Sequence, residues 1–323
     1  MHKLLFRNFS RGGALLPLLL FCFAGPVGSQ SQNPTLPVVQ PPPEQRPFQV
    51  AVDMVNVLVV VYDRQGRMIP NLTQEDFTLL EDEVPQSIEL FSRETNTPLT
   101  LALLMDTSES AHPKLTFQKN AASNFFFAIL REKDRGLLAE FDAGITLLQD
   151  FTADPNRLDR AVRDIRAGGG TSLYDALYAI CDEKMMFETG RKAIILVSDG
   201  GDTGSQHSLE AALELAQKGD TTIYALSTSR GGFFGIPDRK SDQSDKILTR
   251  IVEETGGRIY FPAKEEDLDA NYQQIGNELR SRYALGFVST NKAKDGQFRR
   301  LQVKIRNRDY RLQYRKGYYA PQN

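Results

Sequence analysis

Cysteine and histidine are scarce: the 323-residue chain has two of the first and three of the second. That excludes a Cys/His zinc cluster, whose ligands must recur at short spacings, so any metal here must sit on oxygen. An excess of one charge is also missing, because 39 basic against 41 acidic side chains leave a formal net charge of -2. With 41% hydrophobic and 25% charged residues, the chain is not a nucleic-acid-binding tail, a fibre or a disulfide scaffold. Its length suits about two globular domains.

No apolar run is long enough to span a bilayer. The longest candidate, residues 14 to 24, is too short, and it follows Lys3, Arg7 and Arg11, which makes residues 1–29 a signal peptide with cleavage after Ser29. Cys22 lies within that run, but a lipobox needs a small residue before the cysteine and Phe21 is not one. The expectation is a free exported chain, periplasmic or extracellular, with no transmembrane segment after processing. Without residues 1–29 the balance is 36 basic to 41 acidic, a net of -5, and Cys181 is the sole thiol. An internal disulfide is then impossible and stability must come from packed cores.

Residues 30–46 are rich in proline and glutamine and form a linker, extended at Pro41 to Pro43. From Phe48 the pattern alternates. Val55, Val57, Val59 and Val61 share one face of a strand, Asp63 to Gly66 supplies a turn, and strands over Phe77 to Glu81 and Ser87 to Phe91 flank a turn at Asp82 to Pro85. Near the other end, Leu301, Val303 and Ile305 alternate with polar residues. A turn at Asn307 to Asp309 leads into Tyr310, Leu312 and Tyr314, which predicts a hairpin. Two small β fragments cannot cover their apolar faces alone, so residues 47–95 and 283–320 are expected to pair into one discontinuous β-sandwich.

Between them, residues 97–281 alternate short apolar strands with helical periodicity. The strands are Leu99 to Met105, Leu137 to Phe141, Ala193 to Ser198 and Thr222 to Leu226. Helices follow on Leu158, Ala161, Val162 and Ile165 after Asp154-Pro155, on Leu209 to Ala216, on Ile247 to Val252 before Gly256-Gly257, and on Leu268 to Leu279. The fold class is α/β: a doubly wound, mostly parallel sheet flanked by helices, beside the β-sandwich.

In such sheets the site lies at the carboxyl edge of the strands. The first strand ends in Asp106-Thr107-Ser108-Glu109-Ser110. A glycine loop, Gly168 to Gly170, leads to Thr171 and Asp175, and a later strand ends in Asp199-Gly200-Gly201-Asp202. These are hard oxygen donors suited to Mg²⁺, with Mn²⁺ and Ca²⁺ as competitors. Two carboxylates, Asp106 and Asp199, leave a divalent ion electrophilic, and its open position should attract a carboxylate from outside.

D-T-S-E-S after an apolar strand, then G-G-T-S-L, then L-V-S-D-G-G-D, resemble the three parts of the metal-ion-dependent adhesion site of von Willebrand factor A domains. The resemblance covers residues 97 to about 281. D-F at 76–77, Y-A-L-G-F at 283–287 and R-K-G-Y-Y-A-P at 315–321 further resemble the VWFA-related Acidobacterial branch. It implies Ser108 and Ser110 as direct metal ligands and Asp106 and Asp199 as ligands mainly through water. Thr171 would bind directly or through water. It also implies a non-enzymatic adhesion protein whose partner is a protein supplying an Asp or Glu carboxylate.

Other readings compete. Ser and Asp at these positions can simply cap helices. Asp202 and Asp175 are either outer supports of the metal site or such caps, and Glu109 is rim. Phe233 and Phe234 are either partner contacts or cover for their own core. His112 is solvated, and Cys181 is a buried small hydrophobe. A haloacid-dehalogenase-like phosphatase would want a second acid at position 108, where Ser108 stands. A structural module with an empty site is the remaining alternative.

Overall fold

The first strand, β1 (Met54–Tyr62), buries Val57, Val59 and Val61 on one face, as alternating valines should. The computed structural model describes residues 54–94, 96–229, 239–262 and 265–322; the signal peptide and linker expected over residues 1–46, and Phe233 and Phe234, lie outside these. After β1 the Asp63 carboxylate accepts the amides of Gln65 and Arg67, both at 2.9 Å, and so closes a turn. Next come β2 (Phe77–Glu81), β3 (Val84–Gln86) and β4 (Leu90–Glu94). β2 and β3 form a hairpin whose two turn residues, Asp82 and Glu83, have φ of 45° and 68°, the left-handed pair that a tight hairpin needs. The strand expected over 87–91 is therefore not one element: 84–86 pairs with β2, and the chain then leaves for another sheet as β4.

The middle of the chain runs β5 (Leu99–Asp106), α1 (Leu115–Ile129), β6 (Arg135–Phe141), β7 (Ile145–Thr152), α2 (Pro155–Asp164), α3 (Leu173–Glu183) and β8 (Arg191–Ser198). It continues through α4 (Leu209–Lys218), β9 (Thr221–Ser227), α5 (Arg239–Thr255), β10 (Ile259–Tyr260) and α6 (Glu265–Arg280). These strands form a six-stranded sheet in the order β10-β9-β8-β5-β6-β7, parallel except for β7. β5 is buried at every position. Its odd residues Leu99, Leu101, Leu103 and Met105 pack with α1, α2 and α6, and its even residues Ala102 and Leu104 pack with α3, α4 and α5. The result is the helix–sheet–helix sandwich that continuous apolar strands require. Two residues past the end of α5, at Gly257, a Cβ would meet the Ile223 carbonyl oxygen at 1.8 Å, so only glycine permits this approach to β9.

The last part adds β11 (Arg282–Val288), β12 (Phe298–Ile305), β13 (Arg311–Gln313) and β14 (Gly317–Tyr319). Strands from the two ends of the described chain interleave in two four-stranded sheets, β13-β1-β11-β4 and β14-β12-β2-β3. Phe77, Leu79, Leu301 and Val303 of one sheet meet Val57, Val59, Tyr283, Leu285 and Phe287 of the other in a shared core. The hairpin expected over 301–314 is not present, because β12 pairs with β2 and β14 while β13 crosses to pair with β1. Both strands alternate in polarity, and alternation does not say which sheet a strand joins. The edge strand β7 was not foreseen either, since most of its residues are only partly buried. α3 stops at Glu183, and beyond it Phe187 is 79% exposed.

Candidate functional site

β5 is the first strand of the central sheet, and its neighbours β6 and β8 lie on opposite sides of it. Such a reversal of strand order opens a crevice at the carboxyl edge. The parallel register sets Met105 beside Val197, so Asp106 and Ser198, each one residue further on, end side by side, with Asp199 next.

Asp106 is buried, and both its oxygens are engaged. One accepts the Ser108 amide at 3.0 Å, and the other accepts the Ser198 hydroxyl at 2.7 Å. The Ser198 oxygen in turn accepts the Gly200 amide at 3.0 Å. Burial pushes the Asp106 carboxyl above its ordinary range and the neighbouring Asp199 charge adds to this, against the hydrogen bonds from Ser108 and Ser198. Two carboxylates from adjacent strands thus share one rim. Asp199 is held by the Gly201 amide at 2.8 Å. The turn beneath it needs Gly200, whose φ is +80° and where a Cβ would meet the Ser244 carbonyl oxygen at 2.7 Å.

The glycine loop is stitched to the loop after β5 by two main-chain bonds, Gly168 N–H to the Thr107 carbonyl at 2.7 Å and Glu109 N–H to the Gly169 carbonyl at 3.2 Å. Thr171 follows, buried, with its carbonyl accepting the Thr203 amide at 2.8 Å and the Gly204 amide at 3.1 Å. Its own amide donates to the Thr203 hydroxyl at 3.0 Å. Main-chain bonds therefore fix Thr171 between the other two loops, while its hydroxyl makes no hydrogen bond among the described residues. Ser108 is buried beside Asp106. Ser110 lies in the 3-10 turn Glu109–Lys114, but its side chain, like that of His112, is outside the described ones. Glu109 is exposed.

Asp202 and Asp175 are both engaged between loops. Asp202 accepts the Tyr174 amide at 3.3 Å and the Ser205 hydroxyl at 2.5 Å, while Asp175 accepts the His207 amide at 2.8 Å and contacts His207 Nδ1 at 2.7 Å. Together they lash the start of α3 to the loop before α4. Among the described residues no three His, Cys, Asp or Glu side chains gather as metal ligands. An ion at this rim would need the hydroxyls as well as the carboxylate pair.

Two neighbours of the site carried no signal in the sequence. Ser198 sits in the last position of an apolar strand, and Lys114 sits eight residues beyond Asp106. The Lys114 ammonium donates to the Thr228 carbonyl at the end of β9, and the Thr228 amide donates to the Ser198 carbonyl at 3.0 Å. Burial pulls the Lys114 ammonium below its ordinary range, and the Asp199 charge works against that.

Residues 101–202 match the family model of the von Willebrand factor type A domain. No curated protein matches the chain. Among solved structures the chain is similar to an aerotolerance-related membrane protein from Bacteroides fragilis with multiple mutations to serine, at 15% identity over 56% of this chain and 98% of that one, with a TM-score of 0.45. BatB from Bacteroides thetaiotaomicron gives 15% identity over 57% and 100%, with a TM-score of 0.43. The PilB minor pilin from Streptococcus sanguinis gives 13% identity over 57% and 61%, with a TM-score of 0.46.

Proposed function

We infer that this chain, whose residues 101–202 match the von Willebrand factor type A domain, is an exported binding protein that uses a divalent ion to capture an acidic group of a protein partner. Domains of this family are typically interaction modules and not enzymes. The observation that carries the finer reading is the carboxylate pair. Asp106 and Asp199 come from the ends of adjacent strands, and the burial of Asp106 together with the neighbouring Asp199 charge disfavours ionisation of Asp106. A cation between them relieves that repulsion, since opposite charge within a few ångströms favours the ionised carboxylate. Ser108, Ser110 and Thr171 supply the neutral oxygens, which suits Mg²⁺, with Mn²⁺ or Ca²⁺ as substitutes.

With neutral hydroxyls as its direct ligands and the two carboxylates acting mainly through water, a bound ion stays electrophilic and offers a position to a foreign Asp or Glu. The chain's own part is to fix those oxygens: Ser198 and the Ser108 amide orient Asp106, the Gly201 amide orients Asp199, and the loop bonds at Thr171 hold its hydroxyl at the rim. Metal and partner then raise each other's affinity by the same factor. The paired sheets at the chain's two ends serve as a stalk, and the signal peptide delivers the protein outside the cytoplasm.

Thermal unfolding with and without Mg²⁺ tests this reading. The wild type should be stabilised in proportion to RT ln(1 + [Mg²⁺]/Kd), and Asp106→Ala should not respond. Equal responses of the two proteins would leave a structural module, and phosphate release from a generic ester, abolished by the same substitution, would favour an enzyme.

A further inference from the structure

A cleft of about 410 Å³ lies between β13 and the turn that leads from α5 into β10, and none of the rim residues lines it. Strand register sets one wall. Tyr62 and Arg311 are directly opposite in the antiparallel β1–β13 pair, so their side chains share one face of that sheet. The Tyr62 hydroxyl donates at 3.1 Å to Gln313 Oε1, two residues along β13 and on the same face. The other wall is pinned to this one. The Gln313 side-chain amide donates to the Gly256 carbonyl and the Lys316 main-chain amide to the Glu254 carbonyl, both at 3.3 Å.

The charges that line the cleft do not cancel. Arg258 stands with its guanidinium carbon 5.1 Å from the centre of the Tyr62 ring and 5.3 Å from that of Tyr260, and its carboxylate partner is Glu278 at 3.3 Å. Asp63 serves its own turn, accepting the Gln65 and Arg67 amides and Arg67 Nε. Arg311 and Lys316 then stand against Glu253, all three exposed. Neither Arg311 nor Glu253 makes a side-chain hydrogen bond or ion pair among the described residues, and the Lys316 ammonium has only the Tyr314 ring, 4.5 Å from its centre. Two cations and one anion leave a surplus of one positive charge. Val252 and Ile259 add apolar surface beside the Tyr62 and Tyr314 rings. Apolar walls with a few convergent polar groups, at this volume, suit a small molecule.

We propose that this cleft is a second binding site, independent of any metal, for a monoanionic carboxylate that carries an apolar group. Arg311 and Arg258 receive the carboxylate: an arginine has five N–H donors in a planar fork that matches a carboxylate, and Arg258 is already oriented by its two tyrosine rings and by Glu278. Lys316 adds charge, and the apolar group lies against Val252 and Ile259. A dianion such as phosphate fits worse, because the surplus is a single charge and Glu253 stands in the same cleft. The same chemistry comes from a free organic acid or from the C-terminus of a peptide.

The test is a ligand-observed NMR titration of the full chain in EDTA with four probes: N-acetylphenylalanine, its uncharged amide, hydrocinnamate and inorganic phosphate. N-acetylphenylalanine should bind saturably with a Kd of about 1 mM or tighter, the ordinary efficiency of a probe of its size, and about ten-fold more tightly than the amide. Arg311→Ala should weaken it about ten-fold and Arg311→Lys less, as expected on losing a charge-assisted, bidentate contact. Arg311 is exposed, so the melting curves of these variants should match that of the wild type; Lys316→Ala takes the place of any that fails to fold. Hydrocinnamate binding as well as N-acetylphenylalanine supports the site as one for free acids, and much weaker hydrocinnamate binding supports it as one for peptide C-termini. The proposal is overturned if neither carboxylate binds, if acid and amide bind equally, if phosphate binds more tightly than both acids, or if the affinity is unchanged in Arg311→Ala and Lys316→Ala alike.

Discussion

The Ser198 hydroxyl donates a 2.7 Å hydrogen bond to the buried Asp106 carboxylate across the seam between β5 and β8. It joins residues 92 apart in sequence, and it turns the register of two parallel strands into the orientation of a functional side chain. Ser198→Ala leaves strand geometry intact but removes one of the few groups that favour ionised Asp106. The expected loss is about 1–3 kcal/mol of stability, the usual cost of stranding a buried polar group. Urea unfolding in EDTA measures it, and an unchanged midpoint would mean that the bond has no energetic weight.

Asp175 gives the fold a pH dependence of known sign. Burial opposes its ionisation, but the amides of Gln206 and His207 and the His207 ring outweigh this and hold the carboxyl below its usual range. A depressed folded-state value means stability that is complete above the unfolded carboxyl pKa, about 4, and is lost as pH falls through the folded value. Asp175→Asn should therefore be less stable at neutral pH and lose less between about pH 5 and pH 2 than wild type does. Parallel acid-unfolding curves for the two proteins would contradict this.

Cys181 is fully buried among the side chains that α3 turns toward the sheet, and burial pushes its thiol up to about 12. Only the thiolate reacts with alkylating reagents. The native protein should resist iodoacetamide at pH 8 and label stoichiometrically once unfolded in guanidinium. Rapid labelling of the native state would mean that α3 opens or packs differently.

Much of this architecture is legible in the sequence. The unbroken apolar run Leu99 to Met105 marked a strand buried on both faces, and the residues after it, after the glycine loop and after Val197 marked the rim. What was not legible depends on pairing between distant segments. β13 alternates as any strand does, and alternation does not say that it pairs with β1 and not with β12. β7 lacks a clear buried face because it closes the sheet's edge. Ser198 and Lys114 act through partners 92 and 114 residues away, so no local spacing announces them. Asp175 and Asp202 hold the expected residue types, and their partners, the His207 ring and amide for one and the Tyr174 amide and Ser205 hydroxyl for the other, lie about 30 residues or only a few residues away with no spacing that announces them.

A second buried charge lies away from the rim, where α6 meets β9 and β10. Glu278 is fully buried and accepts the Tyr260 hydroxyl at 2.7 Å and an Arg258 nitrogen at 3.3 Å. Nearby, fully buried Arg282 at the start of β11 donates to Thr222 at 3.0 Å and to the Tyr224 hydroxyl at 2.6 Å. Glu278→Ala strands Arg258 and Tyr260 and should cost about 3–5 kcal/mol. Chemical denaturation checks this, and a cost within about 0.5 kcal/mol, as for an ordinary surface change, would show that water replaces the carboxylate.

The central claim is that oxygens at the ends of β5 and β8 and on the glycine loop hold one divalent ion. Electron paramagnetic resonance counts free Mn²⁺ directly, so a titration of the full chain gives both stoichiometry and affinity. The account predicts one Mn²⁺ bound per wild-type chain, displaced by Mg²⁺, with binding abolished in Asp106→Ala and weakened in Thr171→Ala. Binding that is absent from the wild type, or unchanged in Asp106→Ala, would contradict it.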